Sequence, residues 1–151
     1  MTTAFIFPGQ GSQAVGMGKA LYDGFAVARA VFDEVDAALG QKLTALMFEG
    51  PAEDLTLTAN AQPALMAVSL AALRVLEAEK GVDLARDVAY VAGHSLGEYS
   101  ALAAAGALSI SDTARLLRIR GDAMQKAVPV GVGGMAALIG ATKEQAREVA
   151  A

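Results

Sequence analysis

Val88-Ala89-Tyr90-Val91-Ala92-Gly93-His94-Ser95-Leu96-Gly97 runs from an apolar stretch through a glycine-flanked serine, and a second apolar stretch of small residues follows it. Residues 88–92 read as a buried strand and 96–105 as a helix closed by Gly106. The G-x-S-x-G between them therefore sits in a strand-to-helix turn. Small residues two positions either side let such a turn hold the Ser95 hydroxyl outward, and the helix start behind it offers backbone N–H groups to an oxyanion. On a blander reading the glycines only allow close strand–helix packing and Ser95 is a cap. His94 is expected to be a structural neighbour rather than the base, because side chains adjacent across a sharp turn diverge.

Around this turn the chain alternates strands and helices. Residues 3–7 form an apolar strand ended by Pro8 and Gly9, which lead into the glycine-rich loop Gly9-Gln10-Gly11-Ser12-Gln13. Residues 25–39 have helical spacing of Val27, Val31, Phe32, Val35 and Leu39, with Gly40 as cap. Asn60 and Pro63 mark the start of an apolar helix over about 61–80, closed by Gly81 and expected to be buried. Ser109 and Asp112 have capping-box spacing for a helix to about residue 127. Pro129, Gly131, Gly133 and Gly134 then break the chain, and a strand over 135–140 and a helix from 142 onward are expected. This grammar is α/β, with a mainly parallel sheet whose ligands bind at the C-terminal strand ends.

Composition narrows the chemistry. With 12 Lys+Arg against 16 Asp+Glu, a net charge of −4 and 54% hydrophobic residues, the chain suits one domain with its own core. It is unsuited to tracking a phosphate backbone, so nucleic acid is not expected as a partner. The sequence holds no cysteine and one histidine, which excludes a thiolate nucleophile and a Cys- or His-built metal site. No cofactor or metal is expected. Its apolar runs fall short of the roughly 18 residues that span a bilayer, and residues 1–8 lack a basic leader pattern. A cytoplasmic protein without membrane contact is the expectation.

Two further features could carry function. On the helix to 127, positions 113, 116, 117, 120, 123, 124 and 127 share a face, which puts Arg120 on the apolar stripe and Arg115 and Arg118 toward solvent. A guanidinium there needs a compensating anion. The alternatives are an internal partner such as Glu98 or Asp112, a snorkelling stem that carries the charge to water, or a substrate carboxylate gripped by two parallel hydrogen bonds. The loop from Gly9 to Ala14 matches G-x-G-x-x-A, with Asp33 and Glu34 about 20 residues on, as in a dinucleotide site. Pro8, Gly16 and Gly18 count against the helix start which that site requires. The other readings are a plain glycine turn, or a loop that presents N–H groups, including that of Gln10, to the serine.

Phe7-Pro8-Gly9-Gln10-Gly11-Ser12-Gln13 with Gly16-Met17-Gly18, then Gly93-His94-Ser95-Leu96-Gly97-Glu98-Tyr99-Ser100-Ala101-Leu102, then Arg120-Gly121 with Met124-Gln125, closely resemble the malonyl-CoA:acyl carrier protein transacylases of type II fatty acid synthesis. The resemblance implies an α/β-hydrolase-like domain interrupted by a smaller ferredoxin-like subdomain. Residues 1–127 would belong to the first, and 128–151 would begin the second. It further implies Ser95 as nucleophile, the backbone N–H groups of Gln10 and Leu96 as oxyanion hole, and Arg120 as the grip on the malonyl carboxylate. Malonyl-CoA and acyl carrier protein would be the partners, and the full-length protein is expected to be a monomer. Gln62-Pro63-Ala64 also resembles a family segment near the site, without an assigned role. The family's proteins are about twice this length, and their catalytic histidine lies beyond residue 151, so this chain is expected to lack the base. The alternatives are an acyltransferase domain related to polyketide synthases, a serine hydrolase, and a nucleotide-binding module.

Overall fold

The computed structural model describes residues 3–128, 131–133 and 138–150. Two strands, β1 (Ala4–Phe7) and β2 (Tyr90–Gly93), pair in parallel from Ala4 opposite Tyr90 to Phe7 opposite Gly93. A parallel pair needs a crossover, and here it is helical: α1 (Lys19–Gly24), α2 (Ala26–Leu39), α3 (Leu43–Glu49), α4 (Ala52–Thr56), α5 (Thr58–Lys80) and α6 (Leu84–Asp87). After β2 come α7 (Leu96–Ala104), α8 (Ile110–Ala127) and α9 (Lys143–Ala150). The architecture is mixed α/β with a small parallel sheet. Phe7 is buried beneath the helices, whereas Ile6 and Tyr90 are each 69% exposed, so the helices cover one face of the sheet.

The core is centred on α5. Ala64, Leu65, Met66, Ala67 and Leu70 are buried against Val31, Phe32 and Val35 of α2, Leu96 of α7 and Leu117 of α8. Tyr22, Phe32 and Phe48 close the far end as a tilted aromatic trio, with Tyr22–Phe48 centroids 5.3 Å apart. By length and composition α5, with mean hydropathy 1.2 over its most apolar window, could cross a bilayer. Counting unbroken apolar runs overlooked it because Ser69 and Arg74 interrupt the stretch. It is the core helix, buried among its neighbours.

Several boundaries match the sequence reading. α2 ends at Gly40, which adopts the left-handed conformation (φ 59°). The hydroxyl of Ser109 caps α8 by accepting from the Asp112 N–H at 3.0 Å. Other expectations are corrected. β2 begins two residues late and includes Gly93. α5 starts at Thr58, so Asn60 is inside the helix rather than its cap and Pro63 lies in its second turn. The short helices α1, α3, α4 and α6 have too few turns to show a period. In the expected strand over 135–140, residues 135–137 lie outside the described residues, as do Pro129 and Gly134, and 138–140 are irregular. The helix from 142 is present as α9, where Thr142 Oγ1 accepts from the Gln145 N–H at 3.2 Å.

The buried face of α8 also differs. Thr113, Ala114, Leu117 and Gly121 are buried, whereas Leu116 is 41% and Ile119 65% exposed. The apolar stripe is rotated because the small residues Ala114 and Gly121 bring α8 close to α5. A Cβ at Gly121 would lie 2.5 Å from Ala59 Cα. Arg118, expected in solvent, is half-buried and donates to Asn60 Oδ1 at 2.7 Å and Gln41 Oε1 at 2.8 Å. Burial lowers its pKa, partly offset by nearby Asp122.

Candidate active site

Ser95 is the one described non-glycine residue with positive φ (57°, ψ −113°), the strained conformation expected of a side chain forced outward at a sharp turn. The flanking glycines are steric necessities. A Cβ at Gly93 would lie 1.9 Å from the carbonyl carbon of Gly97, and one at Gly97 would lie 2.3 Å from the Phe7 carbonyl oxygen. These contacts also press the β1 exit against the elbow. The His94 N–H donates to the Phe7 carbonyl at 3.3 Å, and a Cβ at Gly9 would meet His94 Nδ1 at 2.6 Å. The loop carrying Gln10 thus runs beside the turn carrying Ser95. Leu96, the first residue of α7, has its N–H in the helix's opening turn, where no carbonyl of the preceding helical turn exists to accept it.

The arginine from α8 meets the serine from β2–α7. Arg120 Nη2 donates to Ser95 Oγ at 2.9 Å, and Nη1 donates to Gln62 Oε1. Its guanidinium lies 5.8 Å from the centre of the Tyr99 ring, within cation–π range. Arg120 is half-buried at the edge of the α5–α8 contact, not in the middle of the stripe. Neither carboxylate considered from the sequence pairs with it. Asp112 bonds Ser109 and Arg115, and among the described residues Arg120 makes no salt bridge at all. It is a cation held by neutral groups, with donors to spare for an anion.

Gln62 is fully buried and extends the line from Arg120. Its Nε2 donates to Thr58 Oγ1 at 2.8 Å and faces Met124 Sδ at 3.3 Å, and Thr58 Oγ1 lies 2.8 Å from Gln10 Oε1. A continuous line of hydrogen bonds therefore joins Ser95 to Gln10 through Arg120, Gln62 and Thr58. Sequence reasoning brought Ser95, Leu96, Arg120 and Gln10 to one place. It missed Thr58, and gave Gln62 no role: the two are one helical turn apart on α5, but their other partners, Gln10, Arg120 and Met124, lie 48 to 62 positions away with no local pattern. The one usable signal was a glutamine inside the apolar helix, directly before Pro63 and the apolar run 64–68, where a buried polar side chain needs partners.

His94 is exposed and makes no side-chain hydrogen bond among the described residues, so it does not reach Ser95 as a base. No helix starts at the glycine loop. α1 begins only at Lys19 and has six residues, while Asp33 accepts from Tyr22 Oη and Glu34 from Ser111, which removes the geometry a dinucleotide site needs. Among the described residues no group of three or more acidic or histidine side chains is placed to hold a metal.

Comparison with known proteins gives the same direction. The model of the acyl transferase domain matches residues 4–150. The malonyl CoA-acyl carrier protein transacylase of Bacillus subtilis is 54% identical over 146 residues, covering 97% of this chain and 44% of that protein. The crystal structure of an acyl-carrier-protein S-malonyltransferase from Bartonella henselae superposes with a TM-score of 0.90 at 63% identity, over 99% of this chain and 47% of that one. A malonyl transacylase solved in complex with a type II polyketide acyl carrier protein gives 0.78 at 46% identity, over 85% of this chain and 40% of that one. The chain spans less than half the length of these relatives.

Proposed function

This chain belongs to the acyl transferase domain family, and on that premise we propose that it forms the nucleophile-bearing part of an enzyme that moves a malonyl group from malonyl-CoA to the phosphopantetheine thiol of acyl carrier protein. The observation that carries the reading is the Arg120–Ser95 contact: a cation with no carboxylate partner among the described residues, bonded at 2.9 Å to a strained serine hydroxyl. In a malonyl thioester one methylene separates the free carboxylate from the carbonyl under attack. A cation that selects this acyl group must therefore lie next to the nucleophile, where a longer diacid would misplace its carbonyl.

In the proposed reaction Ser95 Oγ attacks the thioester carbonyl, and its proton passes to a base. The carbonyl oxygen becomes an oxyanion facing the N–H groups of Leu96 and Gln10. The carbon–sulfur bond breaks, coenzyme A leaves as the thiol after taking a proton, and a malonyl ester remains on Ser95. The thiol of the carrier protein then attacks that ester and the serine regains its proton, a ping-pong transfer. Arg120 holds the malonyl carboxylate through both halves, so the carboxylate competes with Ser95 for guanidinium N–H groups. None of the described residues is placed to act as the base. A protein ending at residue 151 is expected to show little or no transfer. By the same reading residues 1–127 belong to the α/β-hydrolase-like part and 128–151 begin a ferredoxin-like subdomain.

Full-length protein mixed with malonyl-CoA should gain one malonyl group in intact mass spectrometry, mapped to Ser95 and absent in Ser95→Ala. Arg120→Ala should lose the preference for malonyl over acetyl donors by at least tenfold. An adduct elsewhere, or an unchanged preference, overturns the assigned roles. A serine hydrolase would instead release free malonate at a rate independent of carrier protein.

A further inference from the structure

We propose that Thr58 is a positioning residue that couples the arginine clamp to the oxyanion loop, so that one hydroxyl sets the geometry of both. The inference rests on the reading of Ser95, Arg120 and Gln10 given above. The direction of every hydrogen bond in the line is fixed by what each group can do. A guanidinium only donates, so Gln62 must turn Oε1 toward Arg120 and Nε2 toward Thr58. Thr58 Oγ1 must then accept from Gln62, which leaves its single proton for Gln10 Oε1 at 2.8 Å. All donors point the same way, from the charged guanidinium to the loop, so each bond polarises the next.

The framework around Thr58 suits this role. Thr58 opens α5, and the Arg120–Gly121 step of α8 lies against it: a Cβ at Gly121 would stand 2.9 Å from the Thr58 carbonyl oxygen and 2.5 Å from Ala59 Cα. The backbones bearing Arg120 and Thr58 are thus locked together. Gln10 is different, because it is exposed on a loop. Thr58 is the one side chain bonded to the Gln10 side chain among the described residues. A valine there fills the same space, yet it leaves the buried Gln62 amide facing only the Met124 sulfur and leaves the Gln10 side chain untethered. A serine keeps both bonds.

The test uses full-length wild type, Thr58→Val, Thr58→Ser, Gln10→Ala and the Thr58→Val/Gln10→Ala double variant. Each is assayed for the rate of malonyl-Ser95 formation, the malonyl-to-acetyl preference and the thermal midpoint. Thr58→Val should slow acylation about tenfold or more and lower the malonyl preference, with a midpoint close to wild type, and Thr58→Ser should restore both. Because Thr58 acts on the loop through Gln10, the double variant should be no slower than the slower single variant. Multiplying effects in the double variant, or a serine variant as slow as valine, overturns the coupling. If Thr58→Val acylates like wild type, this inference alone fails. If wild type forms no malonyl-Ser95, the functional reading falls and this inference with it. A Thr58→Val protein that does not fold shifts the decision to Thr58→Ser, whose wild-type rate together with an impaired Gln10→Ala is then required.

Discussion

The elbow and the α5–α8 contact form one kind of region, and the outer face of the sheet forms another. In the first, backbones approach so closely that Gly93, Gly97 and Gly121 have no room for a Cβ. In the second, Ile6 and Tyr90 present large side chains that are mostly exposed. All four residues assigned to chemistry sit in or beside the first region. The difference teaches that the geometry of the nucleophile and clamp is set by helix–strand and helix–helix packing within the described residues, and does not wait on whatever covers the sheet.

The largest effect should come from filling the tight region. Gly93→Ala would put a methyl 1.9 Å from the carbonyl carbon of Gly97, a backbone atom that cannot swing aside. A loss of about 3 kcal/mol or more in urea unfolding, with no acylation at Ser95, is expected. Gly121→Ala, against the Ala59 backbone at 2.5 Å, should cost about 1–3 kcal/mol and separate α8 from α5. Its acylation rate should fall even in the fraction that remains folded, since Arg120 moves with α8. A Gly121→Ala protein with wild-type stability and rate would show that the packing is looser than the close approach implies.

The two faces of β1 give a comparison within one strand. Phe7 is buried and Ile6 is its neighbour on the bare side. Phe7→Ala should destabilise the 151-residue chain by about 3–5 kcal/mol, whereas Ile6→Ala should change it by no more than about 0.5 kcal/mol. In a longer protein in which something covers the outer face, the Ile6→Ala cost should rise toward the range for a buried aliphatic side chain. Equal costs at both lengths would mean that the face stays open.

The same contrast explains what could be read from the sequence. The elbow was legible because its requirements are local: a strand, two glycines two places from Ser95, and a helix of small residues. The helices α2 and α8 were legible for the same reason, through period and caps. The orientation of α8 was not, because hydropathy counts Leu116 as core and passes over Gly121, although the missing side chain is what brings the helices together. Through that rotation Arg118, expected in solvent, and Arg120, expected on the buried stripe, both end half-buried. The line through Gln62 and Thr58 was illegible for another reason. It is made of ordinary polar residues, and apart from the Thr58–Gln62 pair within α5 its members are far apart in sequence, so only the tertiary fold brings Arg120, α5 and Gln10 together.

The smallest effect belongs to the polar contacts at the sheet's entrance, which sharpen the comparison because they are exposed. Arg86 bonds both carboxylate oxygens of Asp87 at 2.7 Å, just before β2. The Arg86 bonds first, then the Asp83 N–H, bring the Asp87 pKa down to about 2 from the ordinary 3.8. A carboxylate with a lowered folded-state pKa stabilises the fold above its unfolded value and loses that contribution as the pH falls from about 4 to about 2. Asp87→Asn should therefore lower the thermal midpoint slightly near neutral pH and flatten its decline across that window. Since both side chains face water, about 1 M salt, with a Debye length of ~3 Å, should erase most of the difference. The Arg120–Gln62–Thr58 line should respond far less to the same salt, because Gln62 is fully buried and only one of its members is charged. A Thr58→Val to wild-type acylation ratio that collapses in the same salt, as the Asp87 difference should, would remove the distinction between the two regions.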